Sequence, residues 1–167
     1  MTALAVVAFL AAMLPTGERL DAVGRAISVG NMPLSMIASP DGSRLLVLLS
    51  GWRDQGIQVV DIASGRVEQF VPLPSSFLGL AFSPDGSAVY ASGGNDDVIH
   101  VFKWTGTQLE PQRQMSLKRS ADDKAGSHYP AGIAFSADGR RLYVAENTGD
   151  ALEVLDVPSG RVMQRFA

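Results

Sequence analysis

The chain has 167 residues, 46% of them hydrophobic and 19% charged, the balance of a soluble globular protein and not of a disordered one. Its formal net charge is −3 and no run of Lys and Arg exceeds two residues, so the basic footprint needed on a phosphate backbone is missing and nucleic acid is not an expected partner. It contains no cysteine, which removes disulfides, zinc–thiolate sites and thiol nucleophiles together.

Ala3 to Leu14 is an unbroken apolar run of twelve residues. That is too short to cross a bilayer as a helix and falls within the length of a secretory h-region. Residues 1–14 therefore read as a signal-peptide h-region, with cleavage after Ala11 or Ala12, an exported (periplasmic or extracellular) protein and no transmembrane span. Met1-Thr2 supplies no positive n-region, and the competing reading is a buried N-terminal element in a cytoplasmic protein. Leu14-Pro15-Thr16-Gly17 spells a sortase-like signal at the wrong end of the chain; it reads as the turn that ends the apolar run. Residues 15–30 form an N-terminal segment.

Beyond residue 30 the chain repeats itself. Ile37-Ala-Ser-Pro-Asp-Gly-Ser-Arg-Leu-Leu-Val, Ala81-Phe-Ser-Pro-Asp-Gly-Ser-Ala-Val-Tyr-Ala and Ala134-Phe-Ser-Ala-Asp-Gly-Arg-Arg-Leu-Tyr-Val are one segment written three times. The turn glycines Gly42, Gly86 and Gly139 are 44 and 53 residues apart, so the second interval carries an insertion. In each copy an apolar run (34–38, 78–82, 133–135) ends at an Asp-Gly turn, whose glycine supplies the positive φ of a tight hairpin. These are strands a and b.

Polar breaks at 50–56, 93–97 and 147–150 come next. They lead into alternating strands c (Ile57 to Ile62, Val98 to Lys103, Leu152 to Val157), second turns at 61–65, 103–106 and 156–160, and closing strands d (66–71, 109–117, 161–166). Four strands in meander order with no helical periodicity predict an all-β fold of three four-stranded antiparallel blades. The blades span about 31–72, 77–117 and 131–167, with an inserted loop at 118–130. Small residues in strand a (Ala38, Gly79, Ala81, Gly132, Ala134) suit the crowded inner edge of a radial array.

The Phe-Ser-Pro-Asp-Gly segments, followed by Leu/Val-Tyr-Val/Ala and then Val-x-Asp-x-x-Ser-Gly, resemble the YVTN-type β-propeller repeat of many secreted bacterial proteins. The resemblance covers about residues 31–167 and implies fold more than function. Gly17 to Arg25, Val29-Gly-Asn-Met-Pro-Leu and Leu49-Ser-Gly-Trp-Arg-Asp-Gln-Gly-Ile-Gln-Val-Val-Asp are similar to the opening of bacterial proteins in which a propeller precedes an alkaline-phosphatase-superfamily phosphoesterase domain. No metal-binding residue of such a domain maps onto this chain. Three blades do not close a propeller ring, so the expectation is an incomplete ring (fragment) whose partners include further blades, with Arg25 to Gly30 as a lone ring-closing strand. A small open stack and a ring completed by several chains are the alternatives.

Consecutive antiparallel strands alternate direction. The short Asp-Gly and Ser-Gly turns therefore share one face and the longer, irregular b–c and d–a loops share the other, where propellers carry function. The candidates on that face are Trp52, Arg53 and Asp54 from the first blade, Asn95, Asp96 and Asp97 from the second, and Glu146, Asn147 and Thr148 from the third. The insertion adds Arg119, Asp122, Asp123, His128 and Tyr129. Trp52 beside Arg53 has the composition of a binding hot spot, although the expected fate of a Trp is to fold back onto its loop or a blade seam.

No metal or other cofactor is expected. The paired acids Asp96-Asp97 and Asp122-Asp123, with Glu146, lack a preorganising calcium loop. His100 and His128 are the only histidines, too few for a three-ligand zinc site, and His100 lies in a strand. Ser127-His128 are neighbours in a loop that does not orient a base, and no nucleophile elbow or phosphate-binding loop occurs. The sequence thus predicts no enzyme in this chain but a module binding a protein, a glycan or a small ligand. The alternatives are the front of a secreted phosphoesterase and a purely structural array.

Overall fold

The computed structural model describes residues 12–13, 15–17, 19–20 and 24–167. The signal-peptide expectation for residues 1–14 lies largely outside them. Where the apolar run ends, β1 (Ala12–Met13) pairs antiparallel with β2 (Arg19–Leu20) across a turn at Pro15 to Gly17. Among the described residues no helix is long and apolar enough to cross a membrane.

The rest is all-β: three four-stranded antiparallel meanders, each beginning with the strand nearest its neighbours. The first blade holds β3 (Pro33–Ala38), β4 (Arg44–Ser50), β5 (Gln55–Asp61) and β6 (Arg66–Pro72). The second holds β7 (Leu80–Phe82), β8 (Ala88–Ser92), β9 (Val98–Trp104) and β10 (Leu109–Ser116). The third holds β11 (Pro130–Phe135), β12 (Arg141–Glu146), β13 (Ala151–Asp156) and β14 (Val162–Phe166). Strand β3 contacts β7, and β7 contacts β11, so the a strands line the inner edge of an arc. The hairpin glycines Gly42, Gly86 and Gly139 have φ of 70°, 71° and 69°, the left-handed conformation that a Cβ disfavours.

The core is two seams between blades. In the first, Leu46 and Leu48 of β4 and Ile57 and Val59 of β5 meet Val89 and Ala91 of β8 and Phe102 of β9. In the second, Tyr90, Ile99, Val101, Met115 and Leu117 meet Leu142, Val144 and Leu155. Alternation along each strand sends successive side chains to opposite seams, which is why Val89 and Tyr90, neighbours in sequence, belong to different clusters. Each fully buried Leu or Ile here is worth roughly 1.5–3 kcal/mol over leaving it in water.

The outer face of the first blade is covered differently. Val47, Leu49 and Val60 are packed by Ile27 and Val29 of the N-terminal segment. Arg25 to Gly30, the expected ring-closing strand, is in no β-ladder among the described residues. It nevertheless takes the position of a d strand. Arg25, Gln69 and Arg113 are 44 residues apart in turn, and each sends its polar end to the next blade. Arg25 Nη1 and Nη2 donate to the carbonyls of Ala63 and Ser64. Gln69 donates to the Leu109 carbonyl at 2.9 Å and accepts from the Leu109 N–H at 2.8 Å. Arg113 donates to the carbonyls of Pro158 and Val157.

Candidate functional site

The two faces of the arc differ as strand direction requires. On the a–b side the same device appears three times: Ser39, Ser83 and Ser136 donate their hydroxyls to Asp41, Asp85 and Asp138. Each carboxylate also accepts the N–H of residue 43, 87 or 140. Hydrogen bonds from Ser39 and Ser43 hold the Asp41 carboxyl down at about 2, and the Asp85 and Asp138 carboxyls are lowered in the same way. Identical chemistry in every blade marks this as the structural face.

The opposite face is irregular and centres on the loop between β10 and β11. Asp97, wholly buried with φ of 56°, clamps both ends of that loop. Its carbonyl accepts the N–H of Leu117 at 2.9 Å, and its carboxylate accepts the N–H groups of Ser127, His128 and Tyr129 at 3.2, 3.0 and 2.8 Å. Thr148 donates its hydroxyl to the Gly126 carbonyl at 2.6 Å and Asn147 its N–H to the Tyr129 carbonyl at 3.0 Å. Together these contacts stitch the insertion to the second and third blades.

Under the loop lies a buried charged network. Nδ1 of His128 is 2.7 Å from Oε1 of Glu146, and Nε2 is 3.0 Å from Oδ2 of Asp123. Arg165 reaches Oε2 of Glu146 at 3.3 Å while donating to the Gly149 carbonyl at 2.6 Å. Arg119 Nη2 stands 3.7 Å from both Glu146 and Glu153. Burial lowers the affinity of His128 for a proton, but hydrogen bonds to Asp123 and Glu146 outweigh it, and its pKa lies above the ordinary value. The His128 hydrogen bond holds Asp123 well below the usual carboxylate range. Burial, then the neighbouring Glu146 charge, push Glu153 up to about 7. Both ring nitrogens of His128 face carboxylates, so in this arrangement it presents no free nitrogen as a base.

The structure therefore brings together Asn95, Asp96, Arg119, His128, Tyr129, Glu146 and Asn147 around the seam of the second and third blades. Asn95 joins through its N–H to the Ser75 hydroxyl at 3.0 Å, and Tyr129 packs edge-on against Phe77 with ring centroids 5.1 Å apart. Trp52, Arg53 and Asp54 share the face but make no hydrogen bond or ion pair to this group among the described residues. Trp52 does not fold back: it is 97% exposed. The Ser50 hydroxyl and the Gln55 carboxamide bind the 76–77 backbone beneath that loop instead, leaving its tip in solvent.

Sequence reasoning missed Glu153 and Arg165, which read as ordinary positions of strands c and d. A signal was available in the repeat. By ladder register Gln58, His100 and Glu153 are equivalent, and Glu146 stands where the other blades carry Leu49 and Gly93.

Compared with known proteins, the chain resembles propellers. The periplasmic gluconolactonase of Pseudomonas aeruginosa superposes with a TM-score of 0.62 at 25% identity, over 81% of this chain and 40% of that one. A protein from Lactobacillus plantarum gives 0.72 at 19%, over 93% and 49%. The WD40 repeats of RRP9 give 0.66 at 17%, over 85% and 41%. The chain thus spans less than half of the length of these structures. No curated protein matches it. The family described as Lactonase, 7-bladed beta-propeller, matches residues 79–166, more than half of the chain, and the chain belongs to that family.

Proposed function

We propose that this chain is a non-catalytic binding module, the arc of a larger lactonase-family ring that receives a protein, a glycan or a small polar ligand on its irregular loop face. One observation carries the proposal: the buried contacts of His128 with Asp97 and Glu146 lock the insertion onto the second and third blades, while Trp52, Arg53, Asn95, Arg119 and Asn147 stay exposed on the same face. An exposed Trp beside an Arg is the composition of a contact hot spot. The test replaces Trp52, Arg53 and Arg119 by Ala and measures retention of ligands from a glycan array and from the native extract. Lost retention with an unchanged unfolding curve supports the proposal; unchanged retention removes this face.

A second function is favoured by the family match and by the gluconolactonase likeness: hydrolysis of a lactone by a completed ring. Acid release from glucono-δ-lactone above the buffer rate, lost on Glu146→Gln, would establish it. The likeness of the opening residues to propeller–phosphoesterase proteins is tested by reading the coding sequence downstream of codon 167. Export is tested by fractionating cells that express the chain with and without residues 1–14.

A further inference from the structure

We propose that His128, Glu146 and Glu153 form a binding site for a first-row divalent cation, Zn²⁺ by donor type, at the seam between the β10–β11 loop and the third blade. The three side chains come from the loop end, the end of β12 and the middle of β13, and one ligand atom of each lies within 4.8 Å of the others. All are buried, at 5%, 5% and 1% exposure.

Glu153 is the independent observation. Its Oε2 is buried with no hydrogen-bond partner. Oε1 stands 3.7 Å from Arg119 Nη2 and 3.9 Å from Arg165 Nε, beyond hydrogen-bonding range, and the carboxyl lies against that of Glu146 with no base or guanidinium closing on it. Buried carboxylates are normally hydrogen-bonded, paired closely or bound to a metal. Packing does not require this pair of acids, because the equivalent positions of the first blade are Leu49 and Gln58. Only the third blade turns two carboxylates toward one seam.

The surroundings suit a cation. The Asp123 carboxylate on Nε2 of His128 is the outer partner that fixes a ligating imidazole, leaving Nδ1 facing the two glutamates. Arg165, tied to the Gly149 carbonyl, holds the outer oxygen of Glu146. Arg119, with its side chain 48% exposed, makes only long contacts and is the counter-charge that the ion displaces. One imidazole and two carboxylates match the charge of a divalent ion and the donor preference of Zn²⁺, whereas Ca²⁺ takes six to eight oxygens.

The site shares Arg119 with the binding proposal but does not rest on it, since an ion here anchors the loop whether or not a ligand docks above it. The experiment uses the tag-free chain, stripped with chelator and titrated calorimetrically with Zn²⁺, with Co²⁺ as a spectroscopic stand-in. One ion per chain is expected, with the visible absorption of low-symmetry Co²⁺. Glu153→Gln and Glu146→Leu, which install the residues of the first blade and so preserve the fold, should each weaken binding at least tenfold. Asp123→Asn should weaken it about 10–100-fold, and Arg119→Ala should leave it as tight or tighter. Absence of stoichiometric binding to the unsubstituted chain, or binding indifferent to Glu153→Gln and Glu146→Leu, overturns the proposal.

Discussion

Asp97 illustrates how one side chain fixes the geometry of a loop thirty residues away. Its carboxylate satisfies three backbone N–H groups that would otherwise be stranded at the start of the third blade. Stranding buried donors costs about 1–3 kcal/mol each. Asp97→Ala should therefore lower unfolding stability in urea by at least about 2 kcal/mol, with hydrogen-exchange protection lost first at residues 127–129. A uniform loss of protection across all three blades would refute a local clamp. The turn aspartates give a different prediction, about acid. A carboxyl whose folded pKa is depressed stabilises the fold above its unfolded value and loses that contribution as pH falls through the folded value. For Asp41 the window runs from the ordinary 3.8 down to about 2. The thermal midpoint should fall across that window, and Asp41→Asn should flatten part of the fall; an unchanged slope in the variant would exclude this turn as a contributor.

At the level of elements, the repeat made most of the fold legible. Asp-Gly turns set the hairpins and alternation set the strands, and the observed strand ends lie within about three residues of the expected ones. What stayed hidden was facing. Alternation says that Gln58, His100 and Glu153 point the same way in their blades, but not that this direction is a buried seam, because the covering surface comes from a preceding blade. The candidate site was half legible for the same reason: the loop carried His128 and Glu146 openly, while Glu153 and Arg165 looked like strand surface. Trp52 was misjudged because the residues that fill the space under its loop, Ser50, Gln55 and Ser76, are small or polar and give no sequence cue.

The d-strand register supports a graded prediction. Met115 is 1% exposed in a seam sealed on both sides, whereas Ile27, at the equivalent step, is only half-buried. Met115→Ala should cost about 2–4 kcal/mol and Ile27→Ala less than about half of that, read from denaturant midpoints. Equal costs would mean that residues 25–30 pack by some rule other than that of a d strand.

Among the described residues, the outer faces of the first and third blades are unequal, and their chemistry predicts how this chain behaves in solution. On the first blade a groove of about 500 Å³ runs past Ile27, Val29, Leu45, Val47 and Val60. On the third, a groove of about 350 Å³ is lined by Arg141, Tyr143, Val154, Met163, Gln164 and Phe166. Tyr143 and Val154 occupy the ladder positions that Tyr90 and Val101 fill inside the second seam, so this face has the composition of an internal seam. Apolar surface of that kind associates in water. Sedimentation velocity over a hundredfold concentration range should show reversible self-association that high salt does not weaken, because the contact is apolar. Val154→Lys should suppress it by placing a charge in the seam, while Asp122→Lys, on the remote loop, should leave it unchanged. A monomer at every concentration would mean that these faces are weaker templates than the internal seams, and that blade-to-blade adhesion depends on the d-strand polar contacts of Gln69 and Arg113 more than on apolar area.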